Sequence, residues 1–270
     1  MDCNAFRLLD MVRAERRGRR NILAVAACVC LLAPSTRADD VPVVAVAASL
    51  RFVMPELGRA FTDATGGSVR ASIGSSGNLT RQIMQGAPFQ VFLAADEEFV
   101  RRLVDADRVD GAPVVYAVGR LVLFAGDADR NLVPGLATLG DAAGGRIAIA
   151  NPSHAPYGRA ARETLRHLGV WPLPAGRIVF GENASQAAQF AFSGNVQRAL
   201  LPKSLVVGTG GVGRGGWIIV PADHHAPLRH AMALLRGGSE IARRFFDFMT
   251  SPHATEVLVK YGFEAPGKSE

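Results

Sequence analysis

The chain has 270 residues, 49 % hydrophobic and 20 % charged, a balance that supports a sizeable folded core and excludes a wholly disordered protein. Its net charge of +6 is concentrated at one end: seven arginines and three acidic residues lie in residues 1–38, and the remainder carries 23 basic against 21 acidic residues, or +2, too little to point to nucleic acid. Cys3, Cys28 and Cys30 all fall in that same stretch, so residues 39–270 offer no thiol for a disulfide, a zinc-thiolate site or a cysteine nucleophile.

Arg13, Arg16, Arg17, Arg19 and Arg20 precede an apolar run over residues 22–33, and Thr36-Arg37-Ala38 forms a small-x-small cleavage site before Asp39. Residues 1–38 read as a secretory signal peptide, with Met1 or Met11 as its start. The apolar run is shorter than the ~20 residues that cross a bilayer.

The first element of the remaining chain is a buried strand, Val43-Val44-Ala45-Val46-Ala47-Ala48. After Ser49 the period changes: Leu50, Val53, Met54, Leu57, Ala60 and Phe61 recur at helical spacing and predict a helix over about residues 50–65, stopped by Gly66-Gly67. Pro55 removes a helical hydrogen bond and shifts the regular start towards itself. Ser49 at the junction is suited to cap the first turn, and its hydroxyl with the free N–H groups there makes a donor-only pocket for an anion.

The arrangement recurs. A strand over residues 68–73 runs into Gly74-Ser75-Ser76-Gly77-Asn78 and a helix through Leu79, Ile83 and Met84. A third strand over residues 91–95 leads through Asp96 to a helix containing Phe99, Leu103 and Val104, and an apolar run over residues 119–124 opens a second unit. There, a strand over 146–150 is followed by a loop over 151–158 and a helix closed by Gly169; a strand over 177–180 is followed by Gly181-Glu182-Asn183-Ala184-Ser185 and a helix to residue 192. Strands alternating with helices predict a parallel α/β sheet with ligands at the carboxyl ends of its strands, and four such junctions can face one cleft. The glycine run over residues 208–216 lacks Gly-Lys-Ser/Thr and reads as a surface turn. A strand over 217–220 follows, and then an apolar segment over 228–235 suited to return to the first unit. Helices over 239–249 and from Ser251-Pro252 to Tyr261-Gly262 end the chain.

Chemistry at these junctions points to binding without turnover. Gly74-Ser75-Ser76-Gly77 misses the Gly-x-Ser-x-Gly spacing of a hydrolase elbow, and paired carboxylates are absent. Asp223-His224-His225 and His230 do not make a metal site, because adjacent histidines on a strand or turn point apart.

Together, Ala47-Ala48-Ser49-Leu50, Gly74-Ser75-Ser76-Gly77-Asn78-Leu79, Gly86-Ala87-Pro88, Asn151-Pro152 with Ala155-Pro156-Tyr157-Gly158, Gly181-Glu182-Asn183 and Val220-Pro221-Ala222-Asp223 resemble the periplasmic molybdate-binding proteins of ABC importers, in that family's order and over nearly all of residues 39–270. The resemblance implies a two-lobed α/β fold of the type II periplasmic-binding kind with a ligand cleft between lobes, residues 41–118 plus 225–270 forming the first and 119–224 the second. It implies an oxyanion held by Ser49, Ser76, Tyr157 and Ala184, the last two through backbone N–H groups, with Ser185 a neighbour and no metal coordinated directly by side chains. Some members add a tyrosine hydroxyl near the segment matching Leu201-Pro202-Lys203-Ser204, which has no tyrosine here. The implied role is a periplasmic, monomeric, non-enzymatic solute-binding protein, without a cofactor or nucleic-acid partner, that passes molybdate or tungstate to a membrane permease. Alternatives are a binder of sulfate or another tetrahedral oxyanion, or a ligand-sensing domain of the same fold.

Overall fold

The computed structural model describes residues 41–126, 135–141, 144–210 and 215–267; the segment read as a signal peptide and residues 211–214 of the glycine run lie outside them. In chain order the strands are β1 (Val43–Ala47), β2 (Arg70–Gly74), β3 (Phe89–Leu93), β4 (Val109–Gly119), β5 (Leu121–Gly126), β6 (Ile147–Ala150), β7 (Ile178–Gly181), β8 (Arg198–Pro202), β9 (Gly215–Ile219) and β10 (Leu228–Leu235). The helices are α1 (Met54–Thr65), α2 (Ser76–Met84), α3 (Glu97–Asp105), α4 (Pro156–His167), α5 (Ala184–Phe192), α6 (Lys203–Gly208), α7 (Glu240–Phe248) and α8 (Pro252–Lys260).

The strands form two five-stranded sheets. The first has the order β2-β1-β3-β10-β4 and the second β7-β6-β8-β5-β9. Both are mixed, which corrects the expectation of a parallel sheet. β1 pairs in parallel with β2 and β3, but β10 runs antiparallel to β3 and β4. In the second sheet β6 pairs in parallel with β7 and β8, whereas β5 runs antiparallel to β8 and β9. The antiparallel members carry the chain from one sheet to the other: β4 passes through Gly119-Arg120 into β5, and the segment after β9 returns as β10. β4 lacked a sequence signal because residues 110–113 are exposed and include Gly111 and Pro113.

Burial explains the predicted elements. β1 is buried over Val44 to Ala47, and α1 turns Leu57, Ala60 and Phe61 inward, where the Phe61 ring meets Phe245 of α7 edge-on at 5.2 Å. Full burial of a side chain such as Val44, Leu57 or Phe61 contributes ~1.5–3 kcal/mol of transfer free energy. Helix α1 begins at Met54 rather than residue 50, with Pro55 in its first turn where its missing N–H is harmless, and Gly66 ends it at φ 72°. The chain covers the gap from β1 with a 3-10 turn, Ala48–Leu50. Helix α4 begins at Pro156, so the loop read over 151–158 is shorter than expected. Among the described residues no helix is long and apolar enough to cross a membrane.

Candidate functional site

Five strand ends converge, those of β1, β2, β3, β6 and β7. Ala47, Ser49, Gly74, Ser75, Ser76 and Ala95 from the first sheet, and Ala155, Pro156, Tyr157 and Ala184 from the second, line one small hollow. Ser49, Ser76, Tyr157 and Ala184 thus meet at one place, although more than 130 residues separate the first from the last. Ser185 does not line this hollow; it faces the adjoining groove with Arg51 and Phe192. No side chain lining the hollow is charged.

Each wall is built by a helix start. Ser75 caps α2, its Oγ accepting the Asn78 N–H at 3.4 Å, which leaves Ser76 as the first residue of the helix. Ser76 Oγ accepts the Ala95 N–H at 3.0 Å, so its own proton remains free to donate. On the opposite wall, Asn183 caps α5 by accepting the Gln186 N–H at 3.1 Å, with Ala184 next to it. Ala155 precedes α4 without any side-chain cap, and Tyr157 lies in the first turn. The backbone N–H groups of Ser49, Ser76, Tyr157 and Ala184 have no hydrogen-bond partner among the described residues. Such free donors at helix starts carry positive partial charge.

Ser49 departs from expectation. It is not a cap: the 3-10 turn is preceded by Ala47, and no side chain bonds its N–H groups. A helix beginning five residues later leaves the hydroxyl nothing to cap. Ser49 is 2 % exposed, and its Oγ has no hydrogen-bond partner among the described residues. A buried hydroxyl left unpaired is costly, and groups of this kind mark ligand positions.

Tyr157 contributes its backbone to the hollow and points its hydroxyl the other way. The hydroxyl lies 3.2 Å from His230 Nε2, and the opposite ring nitrogen of His230 lies 3.2 Å from the Tyr116 hydroxyl, which donates to the Ala94 carbonyl at 3.2 Å. Burial lowers the His230 pKa to about 3 and raises that of Tyr157, so the histidine is neutral and the tyrosine keeps its proton at neutral pH. Gly119 passes so close that a Cβ there would overlap the Tyr157 hydroxyl. His230, close in sequence to Asp223-His224-His225, is a buried link between β10 and α4.

Further bonds tie elements of the two sheets around the hollow. The Gly77 N–H donates to the His154 carbonyl at 2.9 Å, an approach that a side chain would block, since a Cβ on Gly77 would stand 2.8 Å from that oxygen. His154 Nδ1 lies 2.9 Å from Ser75 Oγ. Arg159 of α4 pairs with Asp96 and, at 3.0 Å, with Glu98 at the start of α3, and Asn78 donates to Glu182. In the segment Leu201-Pro202-Lys203-Ser204, Ser204 Oγ donates to the Ser49 carbonyl at 2.7 Å. The sequence marks Ser75, Gly77, Asn78, Asp96 and Glu182 as junction residues but not these partnerships, because each is a contact distant in the chain.

Known proteins share this architecture. The molybdate-binding protein ModA of Rhodobacter capsulatus is 36 % identical over 91 % of this chain and 96 % of its own, and that of Azotobacter vinelandii 37 % identical over 89 % and 96 %. The solved structure of the Azotobacter vinelandii periplasmic molybdate-binding protein superposes with a TM-score of 0.78 at 29 % identity, over 83 % of this chain and 99 % of that one. The family described as bacterial extracellular solute-binding protein matches residues 42–264. With the match spanning both sheets and the hollow between their strand ends, the chain belongs to the bacterial extracellular solute-binding protein family.

Proposed function

We propose that the protein captures molybdate, or its near-equivalent tungstate, outside the cytoplasm and delivers it to the membrane permease of an ABC importer. The carrying observation is the donor-only hollow: the Ser49 and Ser76 hydroxyls and the free N–H groups of Ser49, Ser76, Tyr157 and Ala184, with no charged side chain among its walls. A tetrahedral dianion presents only acceptors, and helix starts offset its charge without burying full cations. A phosphate that keeps a proton would turn a donor towards donors, a mismatch that costs ~1–3 kcal/mol. Sulfate matches in charge and shape, so cavity size must exclude it.

Residues 41–118 with 225–270 form one lobe and 119–224 the other, closing over the anion as a monomer. Donors from both lobes complete their contacts only when the lobes are together, which couples capture to closure. Catalysis is not part of the function. Among the described residues lining the hollow none is placed as a general acid or base, which supports this reading: Tyr157 and His230 bond to each other behind its wall, and the Ser75 to His154 contact ties a helix cap to the facing loop. The names and structures of the relatives support the choice of molybdate. Titration calorimetry with molybdate, tungstate, sulfate and phosphate tests it. Tight binding of the first two alone is expected; comparable affinity for sulfate contradicts the ligand, and no heat with any oxyanion contradicts the function.

A further inference from the structure

We propose that Ser185 and Ser204 are positioning residues, which hold the turn carrying Ser49 by its carbonyls and thereby fix the Ser49 hydroxyl in the hollow. The assignment rests on the anion-binding function proposed above and replaces the expectation that Ser185 is a neighbour of the anion. Ser185 Oγ, on α5, donates to the Ala48 carbonyl at 2.9 Å, and Ser204 Oγ, on α6, donates to the Ser49 carbonyl at 2.7 Å. A serine hydroxyl has one proton. With that proton engaged by a carbonyl, the Ser185 oxygen has only lone pairs left, which repel an anion.

The turn needs such support. It is three residues of 3-10 helix without a side-chain cap, a conformation with little stability of its own. Besides the backbone bonds from the Arg51 N–H to the Ala48 carbonyl and from the Val53 N–H to the Leu50 carbonyl, the Ala48 and Ser49 carbonyls are held by hydroxyls on helices of the other sheet, and next to them Phe52 packs on Gly208 of α6 so closely that a Cβ there would lie 2.5 Å from the Phe52 Cβ. The chain after β1 is thus clamped from outside, while the Ser49 hydroxyl stays buried and without a hydrogen-bond partner among the described residues. Ser204 thereby acts at the anion indirectly, through the serine whose carbonyl it holds.

A double-mutant cycle on the purified protein, read as molybdate affinity and dissociation rate, distinguishes positioning from direct contact and from general stability. Ser204→Ala and Ser185→Ala are each expected to weaken molybdate binding by roughly 3- to 10-fold, the scale of one hydrogen bond to a carbonyl. In the Ser49→Ala background the same substitutions should have little further effect, because the hydroxyl they position is gone. Ser204→Thr keeps a hydroxyl and should recover most of the affinity, a control that holds even if Ser204→Ala folds poorly. Undiminished effects of Ser185→Ala or Ser204→Ala in the Ser49→Ala background, or unchanged affinity in the single variants, would overturn the assignment. A wild-type protein that binds no oxyanion would overturn the function itself, and that result is seen before any variant is compared.

Discussion

Ser49 and Ser76 line the same hollow yet should respond oppositely to loss of their hydroxyls when no anion is bound. Ser76 Oγ accepts the buried Ala95 N–H, so Ser76→Ala orphans that donor and should destabilise the anion-free protein by about 1–3 kcal/mol. Ser49 Oγ has no partner among the described residues, so Ser49→Ala breaks no protein hydrogen bond and should leave stability within about 0.5 kcal/mol of wild type or raise it. With molybdate the two converge. Each substitution removes a bond to a charged ligand, about 1.5–3 kcal/mol, and should weaken affinity by roughly 10- to 150-fold. Urea denaturation without anion gives the first quantity, and calorimetric titration gives the second. If Ser49→Ala destabilises the anion-free protein as much as Ser76→Ala does, the hydroxyl has a structural role and the assignment to the anion fails. If both variants keep wild-type affinity, the anion lies elsewhere.

Two further outcomes follow from the walls of the hollow. Gly77→Ala would push a methyl group against the His154 carbonyl, and it should weaken molybdate binding by roughly 5- to 150-fold with an unchanged circular dichroism spectrum, overpacking of this kind costing ~1–3 kcal/mol; wild-type affinity would show that this approach is not needed for binding. His230 binds a proton in the unfolded chain near pH 6.5 but in the folded protein only near pH 3, so its contribution to stability is fully present above about pH 6.5 and is lost as pH falls from there towards 3. The slope from this one proton is at most about 1.4 kcal/mol per pH unit, and comparing urea midpoints of wild type and His230→Gln at pH 7.5 and 4.5 isolates it, since the variant lacks this term.

Local chemistry made much of the site legible in the sequence. Ser75 with Asn78, and Asn183 with Gln186, announce helix starts by side-chain type alone, and Gly66 announces an end. The repeated strand-to-helix junction marks four segments that can face one cleft, the resemblance to the molybdate-binding proteins implies Ser49, Ser76, Tyr157 and Ala184 within them, and the hollow is lined by all four. What periodicity did not reveal was strand direction. Antiparallel β5 and β10 are as apolar as the parallel strands beside them, because both kinds are buried on two faces, and β4 begins in exposed, polar chain. The roles of Ser185, Ser204 and His230 were equally hidden. A serine that holds a carbonyl 155 residues away, or a histidine between two tyrosines, looks locally like any other polar residue in an apolar segment.

A crystal structure of the protein with molybdate tests the central claim most directly, since the metal's anomalous scattering locates the anion independently of the protein. The site described here predicts one molybdate between the two sheets, its oxygens within hydrogen-bond distance of the Ser49 and Ser76 hydroxyls and of the Tyr157 and Ala184 backbone N–H groups, with Ser185 and Ser204 still bonded to the Ala48 and Ser49 carbonyls. An anion found in the adjoining groove beside Arg51, or held by charged side chains, would contradict it.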